Sequence, residues 1–501
     1  MSQSELPHAL YTCAQSKAVD ELAIEQEKIP GIHLMKRAAR FAFQTLLQRW
    51  PSPPDIVVVC GSGNNAGDGY VLAALAARSA IPVTVFAVVA ANALRGDAST
   101  AEKYAQAEGV SIKRYDESSL GAAINDKTVV VDALLGTGIT REVENDFLSA
   151  IQAINAVATN VLSLDVPSGL CGDSGKVYGE SIKAGVTTSF ITLKRGLLTG
   201  RGPAFTGDLV YDSLGVPEAC FEKLIPACER ITTLALRPLL PEREADAHKG
   251  QFGHVLVVGG DIGMGGAAVL AGEASARSGA GLTSIATQPE HVAGVLARCP
   301  ELMVQGVPSG QALEPILSKP DVIVLGPGLG RDSWSEQMLQ QATLTDLPLV
   351  MDADALNLLA EGRVVRVQQR DNWVLTPHPG EAARLLGMDT SDVQADRFAA
   401  AQQLQKKYGG VVVLKGAGTI IASKDKCRLA AVGNPGMATG GMGDVLSGVI
   451  GALVAQGLAL EDAAALAVCV HGDAADCCVA DVGERGVLAS DLIPYIREFL
   501  N

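Results

Sequence analysis

The chain has 501 residues, of which 48% are hydrophobic, 19% charged and 4% aromatic, which allows roughly two to four domains with large buried cores. Its formal net charge of −15 disfavours nucleic acid or an anionic membrane as a partner. The ten cysteines form no C-x-x-C pair and no zinc spacing, so we expect reduced cysteines in a cytoplasmic protein. The N-terminus has neither the basic start nor the apolar core of a signal peptide.

The first half predicts two helices, over 13–28 and 31–50, and then a buried parallel strand, DIVVVC. That strand ends in a glycine-rich turn, GSGNNAGDG, followed by a helix, YVLAALAAR, and this order is the geometry that receives a phosphate-bearing ligand. The spacing is wrong for G-x-G-x-x-G, and the next strand ends without the acidic residue expected for a ribose. Asn64, Asn65 and Asp68 place amides and oxygens in the turn instead; the alternative is a plain turn motif.

Two further strands in this half end in polar residues. Asp132 follows the run TVVV, and Asp165 and Ser168 follow NVLSL. Ligands bind at the carboxyl ends of the strands of an open parallel sheet, so we expect Asn65 and these three residues to share one crevice. The set contains only oxygen ligands, which favours a hard, weakly charged cation over zinc. Each residue taken alone is as readily a cap or a turn residue.

The alternating pattern of predicted strands and helices stops from about 216 to 250, where four prolines are spread through a charged stretch. We place the domain boundary there, near 225–240.

The second half predicts several more strands that end in glycine loops or polar residues. Glycine loops follow FGHVLVV (loop 259–266) and DVIVL (loop 326–330). Asp352 and Asp354 end the next strand, His378 and Glu381 the one after, and Lys415 the last. Together these residues outline a mononucleotide site with an acid–base pair beside it, although no P-loop is present. The alternatives are a capping Asp352, a locally bonded His378 and a solvated Lys415.

The stretch NPGMATGGMGDVLSG, Asn434 to Gly448, brings a flexible glycine loop to the start of an apolar helix. A helix start attracts phosphate, so Asp444 is a candidate base for a nucleophile beside a phosphoryl group, or a helper for its metal ion. The alternative is that Asp444 is only an N-cap. The most apolar window of the chain, Val445 to Leu460, is short for a membrane span and predicts a buried core helix.

These motifs resemble a known family. HKGQFGHVLVVGG, GPGLG, MDADALN, LTPHPGE, KGAGT and the Asn434–Gly448 stretch are similar to the ribokinase-like, ADP-dependent dehydratase of hydrated NAD(P)H. GSGNNAGDG, DALLGTG and LDVPSG look like its partner epimerase, although the usual loop GNGNNGGDG is changed at Ser62 and Ala66. The resemblance covers nearly the whole chain. It implies two α/β domains: an epimerase domain over 1–225, a Rossmann-like α/β/α sandwich with a mostly parallel sheet, and a ribokinase-like dehydratase domain over 235–501.

The resemblance also implies what the two halves do. The first would epimerise the R and S hydrates of NADH and NADPH, with Asp165 as a catalytic residue. The second would dehydrate the S hydrate with Asp444 as the catalytic base, using ADP or ATP with Mg²⁺. The expected partners are these hydrates, an adenine nucleotide and further copies of the chain in a homo-oligomer. The competing functions are a ribokinase-type small-molecule kinase and a non-enzymatic nucleotide-binding sensor.

The site residues follow from the same resemblance. The hydrated dinucleotide would be held by Asp165 and by the segments Asn64, Asn65, Ala66, Gly67, Asp68 and Gly136, Thr137, Gly138, Ile139, Thr140, Arg141, Glu142. A potassium ion would be held by Asn65, Asp132 and Ser168. The hydrate in the second half would contact Gly265, Gly328, His378 and Asp444. The adenine nucleotide would be bound by Lys415, Gly416, Ala417, Gly418, Thr419 and Gly443.

Overall fold

The computed structural model describes residues 6–365 and 369–501, which form two compact units, Met1–Glu229 and Arg230–Asn501. Both units alternate strands and helices around a parallel sheet, so the predicted α/β class is confirmed.

The part of the N-terminal unit that the structure describes, from residue 6 onward, contains seven α-helices, and its last short strand continues past Glu229. Its helices are α1 (Cys13–Glu25), α2 (Gly31–Arg49), α3 (Asn64–Arg78), α4 (Gly96–Ala107), α5 (Glu117–Ala123), α6 (Asn145–Val157) and α7 (Pro203–Thr206). Its strands are β1 (Ala9–Tyr11), β2 (Ile56–Cys60), β3 (Val83–Ala87), β4 (Ser111–Arg114), β5 (Val129–Ala133), β6 (Asn160–Leu164), β7 (Val186–Phe190), β8 (Leu193–Lys194), β9 (Asp208–Asp212) and β10 (Cys228–Ile231).

Seven of these strands form one sheet in the order β4-β3-β2-β5-β6-β7-β9, and every neighbouring pair is parallel. Because side chains alternate across a strand, Ile56, Val58 and Cys60 of β2 join the hydrophobic cluster with α2, α3 and α4. Val57 and Val59 join the opposite cluster with α5 and α6. The sheet is thus covered on both faces, as parallel sheets are.

The start of α3 differs from the sequence-based expectation. The predicted glycine turn over 61–69 is shorter, because the helix begins at Asn64 and the polar residues lie in its first turns. Ala66 is therefore helical and needs no positive φ. Gly69 allows the helix to lie close against the sheet, since a Cβ there would come within 2.6 Å of the Ala133 Cβ atom.

Twelve α-helices and the remaining strands lie in the C-terminal unit, counted over 230–365 and 369–501. Its helices are α8 (Thr233–Leu236), α9 (Gly265–Arg277), α10 (Val292–Arg298), α11 (Gly310–Leu313), α12 (Ser333–Thr343), α13 (Ala353–Glu361), α14 (Pro379–Leu386), α15 (Thr390–Ala395), α16 (Arg397–Tyr408), α17 (Met442–Ala455), α18 (Leu460–Val482) and α19 (Leu492–Leu500) among the residues described. Its strands are β11 (His254–Val258), β12 (Leu282–Thr287), β13 (Met303–Gly306), β14 (Val322–Leu325), β15 (Leu349–Met351), β16 (Trp373–Leu375), β17 (Val411–Leu414), β18 (Thr419–Ala422) and β19 (Cys427–Ala430).

These strands are ordered β13-β12-β11-β14-β15-β16-β17-β18-β19. The pairs from β13 to β17 are parallel, and β18 and β19 continue the sheet as antiparallel strands. The carboxyl ends of β11, β14, β15, β16 and β17 therefore lie along one edge, where the sequence placed the glycine loops and polar residues.

Two apolar helices fill one face of this sheet. α17, which covers the predicted core helix, buries ten residues, and α18 buries thirteen. α18 is long and apolar enough to cross a membrane, but 72% of its apolar window is buried inside the protein. Its burial is that of a core helix packed in a hydrophobic cluster with α9, α17 and α19.

The contact between α17 and α9 generates a stability prediction. A Cβ on Gly448 would lie 2.1 Å from the Ala271 carbonyl oxygen, a backbone atom that has no room to move. We expect Gly448→Ala to destabilise the C-terminal unit by about 1–3 kcal/mol through overpacking. Gly294→Ala, in the helix α10 with open space around the new methyl group, is the control and should be neutral or stabilise by about 0.5–1 kcal/mol. Denaturant titration of both variants is the measurement, and equal midpoints would contradict the close packing.

Candidate functional sites

A cavity of about 1070 Å³ opens at the carboxyl edge of the N-terminal sheet. Its wall contains most of the residues predicted for the hydrated dinucleotide: Asn64, Asn65, Asp68, Gly136, Thr137, Gly138, Ile139, Thr140, Arg141, Glu142 and Asp165. The other two, Ala66 and Gly67, are buried in α3 behind that wall. α1 and α2 contribute Asp20 and Met35 from the opposite side. The size suits a ligand as large as a dinucleotide.

Asp132 is fully buried beside this cavity, in β5 rather than after it. Its carboxylate accepts hydrogen bonds from Ser168 Oγ (2.5 Å), Ser168 N (2.9 Å), Ser163 Oγ (2.8 Å) and Leu134 N (3.3 Å). Burial raises the pKa of Asp132, while these hydrogen bonds lower it. The carboxylate therefore fixes the turn after β6 and orients the Ser168 hydroxyl.

The structure brings the three predicted potassium ligands together. Asn65 Nδ2 donates to the Leu135 carbonyl oxygen at 2.8 Å, and Ser168 Oγ, which donates its proton to Asp132, lies 3.0 Å from the same oxygen. Asn65 Oδ1 is buried and accepts no hydrogen bond from any described residue. A buried amide oxygen without a donor is costly unless something else satisfies it. A cation held by neutral oxygens beside a buried carboxylate would do so.

Asp165 is held in an unusual conformation at the cavity wall. Its φ of 65° is in the left-handed region, which a residue with a side chain rarely adopts. Its Oδ1 atom accepts hydrogen bonds from the Lys194 ammonium and from Phe190 N. Lys194 was not predicted from the sequence; its only signal there was a lysine within the apolar run FITLKRGLL.

Two further carboxyl groups of the cavity have perturbed acidity. Burial raises the pKa of Asp68 well above its ordinary value, and the charges of Asp165 and Asp20 add to the effect. Burial also raises the pKa of Asp20, which lies in α1 and which the sequence analysis missed. Both shifts favour the protonated form of these carboxyl groups, which lie in the same cavity wall as the ion pair of Asp165 with Lys194.

In the C-terminal unit, a buried ion pair lies at the carboxyl edge of the parallel strands. Lys415 Nζ lies 2.6 Å from Asp352 Oδ1, which also accepts a hydrogen bond from Thr376 Oγ1 at 2.8 Å. Asp352 Oδ2 is buried without a donor among the described residues. Asp352 is the N-cap residue of α13, but its side chain does not cap the helix. Lys415 is not a solvated strand end, since its side chain is only 20% exposed.

Asp444 lies beside this pair, in the first turn of α17. The N-cap residue is Gly441, with a φ of 91°, so the N-cap interpretation of Asp444 is wrong. A Cβ on the preceding Gly443 would lie 3.1 Å from both Asp352 Oδ2 and Lys415 Nζ. Burial and the negative charge of Asp352 raise the pKa of Asp444 to about 7. This is the acidity of a base that works near neutral pH.

His378 and Glu381 form the next part of the edge. His378 is half-exposed, and its Nδ1 accepts a hydrogen bond from Gly380 N at 3.0 Å, so the local bonding weighed above is present. Glu381 is buried, and its Oε2 atom accepts from His378 N at 2.8 Å. Burial raises the pKa of Glu381 to about 7, against the opposing charge of Lys415. Burial, together with Lys415, lowers the pKa of His378, which favours its neutral form.

The two glycine loops are bonded to each other. Gly260 N donates to the Pro327 carbonyl oxygen at 2.9 Å, and Asp261 N donates to that of Gly328 at 2.7 Å. Gly265 begins α9, and Gly328 has a φ of 57°. The loops thereby place Gly265 and Gly328, the two glycines predicted to contact the hydrate, on neighbouring segments at the carboxyl edge of the sheet.

The loop after β17 is held by a buried cation. The Arg397 guanidinium donates to the carbonyl oxygens of Leu414, Lys415 and Gly418 at 3.2, 3.2 and 3.5 Å. Gly416 adopts a φ of 138°, and a Cβ there would meet Arg397 at 2.9 Å. Arg397 thereby fixes the path of this loop through three of its carbonyl oxygens. Arg397 lies in a polar helix, and nothing in the sequence marked it.

No group of three or more His, Cys, Asp or Glu residues that could hold a metal ion occurs within 6–365 and 369–501. All ten cysteines are free. A cation in either unit would therefore depend on neutral oxygens or on a bound phosphate for part of its coordination.

Comparison with known proteins gives the same two halves. Residues 255–498 match the family model described as NAD(P)H-hydrate dehydratase, and residues 31–196 match that of the YjeF-related protein N-terminus. Two relatives, from Coxiella burnetii and Escherichia coli, are bifunctional NAD(P)H-hydrate repair enzymes. The first is 48% identical over 98% of this chain and 99% of its own length, and the second 39% identical over 99% and 95%. A ribokinase-like superfamily protein from Enterococcus faecalis superposes with a TM-score of 0.50 at 32% identity, over 54% of this chain and 94% of its own.

The buried ion pair generates a prediction about folding stability. Lys415→Met leaves the Asp352 carboxylate buried without its cation, and we expect a loss of roughly 3–5 kcal/mol. Adding Asp352→Asn removes the unpaired charge and should recover much of that loss. Lys424→Met, at an exposed lysine of the same unit, should stay within about 0.5 kcal/mol of the parent. Denaturant unfolding of the parent, Lys415→Met, Asp352→Asn alone and the double variant gives the coupling energy, and additive effects would show that the pair is not coupled.

Proposed function

This chain belongs to the family of bifunctional NAD(P)H-hydrate repair enzymes, and we propose that residues 1–225 form its epimerase domain and residues 235–501 its dehydratase domain. The enzyme repairs hydrated NADH and NADPH, so that its halves perform an isomerase and a hydro-lyase reaction. A small-molecule kinase or a nucleotide sensor is not favoured, because the relatives match over both halves of the chain.

The dehydratase site of this proposal is the edge that holds Asp444. The close approach of Gly443 to Asp352 and Lys415 is the observation that carries it, since it puts the start of α17 against a cation and a strand end. N–H groups at that helix start and the Lys415 ammonium attract phosphate. We assign the nucleotide to Gly443 and to Lys415, Gly416, Ala417, Gly418 and Thr419, and the hydrate to Gly265, Gly328, His378 and Asp444.

The chemistry that this arrangement supports is activation of a poor leaving group. The hydrate carries a hydroxyl at C6 of the nicotinamide ring, and hydroxide leaves poorly. Asp444 takes the proton of that hydroxyl, and the C6 hydroxyl oxygen of the hydrate attacks the terminal phosphorus of ADP or ATP. The C6–O bond then breaks with the phosphate, aided by the ring nitrogen lone pair, and loss of a C5 proton restores the dihydronicotinamide. The helix N-terminus stabilises charge on the transferring phosphoryl group.

Magnesium fits the same edge. Asp352 Oδ2 is a buried carboxylate oxygen without a donor among the described residues, and hard cations prefer such ligands. We propose that Asp352 contributes to holding the ion. When bound with the nucleotide, it would neutralise charge on the phosphates.

The epimerase site of the proposal is the N-terminal cavity. The start of α3 (Asn64–Asp68), the loop 136–142 and Asp165 hold the hydrated dinucleotide. A potassium ion fits beside it, because Asn65 Oδ1 is a buried oxygen that lacks a donor among the described residues, next to the Ser168 hydroxyl and the Asp132 carboxylate. The ion would supply positive charge near the bound phosphates, and Asp165 acts in the epimerisation.

The small-molecule partners we propose are hydrated NADPH (NADPHX), hydrated NADH (NADHX) and an adenine nucleotide. We also propose that copies of the chain form a homo-oligomer. We place the enzyme in the cytoplasm. Its formal net charge of −15 argues against nucleic acid and anionic membranes.

Removal of the proposed base tests the dehydratase site. We expect Asp444→Asn to lower dehydration of the S hydrate by about 10²–10⁴-fold, because the amide takes up no proton. The assay follows recovery of the NADH absorbance with ADP or ATP. Epimerisation, followed separately by NMR, should be unchanged, and a normal rate of NADH recovery in the variant would disprove the role of Asp444.

The acidity of Asp444 predicts the pH profile of the same reaction. A base acts when deprotonated, so kcat/KM of the parent should rise as the pH increases through about 7 and then level off. Asp352→Asn removes a neighbouring negative charge and thereby lowers the pKa of Asp444, which moves this limb to lower pH. A limb that stays in place would show that another group controls it.

The potassium proposal has its own test. Asp132→Ala removes the carboxylate that orients Ser168, and we expect slower epimerisation that no longer depends on potassium. The measurement is equilibration of a pure epimer in potassium and in lithium salts. Dehydration should be unaffected, and an equal loss of both activities would contradict the assignment of two separate sites.

A further inference from the structure

Lys194 is a buried cation on the wall of the N-terminal cavity. It is the last residue of β8, and only 1% of its side chain is exposed. A buried ammonium group is costly unless it is paired and hydrogen-bonded. Because burying this ammonium group in the cavity wall costs free energy, we infer that its charge or its protons have a role there.

The contacts of Lys194 leave part of its ammonium group free. Its Nζ atom donates to Asp165 Oδ1 and, at 2.8 Å, to the Phe190 carbonyl oxygen. An ammonium group has three N–H donors, so one lacks a protein acceptor among the hydrogen bonds of the described residues. Both Lys194 and Asp165 line the cavity, which is where a ligand would meet this third donor.

Asp165 has a free acceptor in the same place. Both of its hydrogen bonds within the described chain end on Oδ1, one from Lys194 and one from Phe190 N at 3.2 Å. Its Oδ2 atom receives none, and 17% of the side chain is exposed. The backbone is fixed by Asp165 N donating to the Thr188 carbonyl oxygen at 2.7 Å. A strained residue held this firmly is a feature of functional sites.

We propose that Lys194 is the general acid of the epimerisation, acting with Asp165 as the base, and this rests on the epimerase function proposed above. Asp165 removes the proton from the C6 hydroxyl. The C6–N1 bond breaks as the C6 carbonyl forms, and Lys194 gives a proton to N1, which leaves with the electron pair. Rotation about C5–C6 turns the other face of the aldehyde to N1. The reverse steps close the ring as the opposite epimer and return both protons.

The carboxyl groups around the pair support this division of roles. Burial raises the pKa of Asp68 well above its ordinary value, and burial raises that of Asp20. Both shifts favour the protonated form of these carboxyl groups, in which they accept no proton. The ion pair is therefore the place in the wall where a proton acceptor and a proton donor lie side by side.

The experiment uses the full-length enzyme and a pure C6 epimer, without nucleotide, with equilibration followed by NMR. We expect Lys194→Ala to slow epimerisation by about 10²–10⁴-fold. Lys127→Ala, at an exposed lysine outside the cavity wall, is the matched control and should equilibrate the epimers at the parent rate. Lys194→Ala should still dehydrate the S hydrate at the parent rate when ADP or ATP is added. Equal rates in the two lysine variants would overturn the inference.

A second measurement separates proton transfer from a purely structural role. Lys194→Ala is supplied with ethylamine and with fluorinated ethylamines of similar size and increasing acidity. Rescue whose rate, per concentration of ammonium form, rises with acidity supports proton donation. Rescue that is the same for every amine would mean that the cation only supports Asp165, and would overturn the inference.

Lys194→Arg guards against a folding defect in the alanine variant. Arginine keeps the positive charge beside Asp165 but does not release a proton near neutral pH, so epimerisation should stay slow. Full activity of Lys194→Arg would contradict the proposal. A parent enzyme that does not interconvert the epimers at all would instead refute the epimerase function itself.

Epimerisation in water enriched in oxygen-18 shows whether the C6–N1 bond or the C6–O bond breaks. Ring opening keeps the C6 oxygen, so a single epimerisation should leave the product unlabelled. One labelled oxygen in each epimerised molecule would show loss and return of hydroxide, and would contradict the ring-opening step.

Discussion

A buried carboxylate at the carboxyl edge of a parallel sheet is the feature on which each site depends. Asp132 and Asp352 are both fully buried, and a lone charge in such a place would be very costly. The two units solve the problem differently. Four hydrogen bonds from hydroxyl and backbone groups satisfy Asp132, whereas Asp352 is paired with Lys415 and bonded to Thr376.

This difference decides what surrounds each carboxylate. The hydrogen bonds to Asp132 orient Ser168 next to Asn65, and the result is a group of neutral oxygens. The ion pair of Asp352 with Lys415 instead places both charges within reach of the start of α17. Burial, together with the negative charge of Asp352, raises the pKa of Asp444 to about 7, against the opposing charge of Lys415. The same position in the sheet thus carries a group of buried neutral oxygens in one unit and, in the other, an ion pair beside a carboxyl group whose pKa is about 7.

Much of this could be predicted from the sequence because the signals were local. Val- and Ile-rich runs followed by glycine or aspartate located the strands and the sheet edge that carries the sites. The start of α3 was missed because glycine and asparagine favour turns, and packing against the sheet overrides that preference. Lys194, Asp20 and Arg397 were missed because their importance comes from contacts with residues far away in the sequence. The local hydrogen bond expected for His378 is present, because its donor, Gly380 N, lies only two residues away.

The central claim is that the C6 hydroxyl is phosphorylated before it leaves. The most direct test is a hydrate labelled with oxygen-18 in that hydroxyl, turned over with unlabelled nucleotide, with the released phosphate examined by its ³¹P isotope shift. The account predicts one labelled oxygen in each phosphate for each NADH recovered. Unlabelled phosphate, with the label in water, would contradict it.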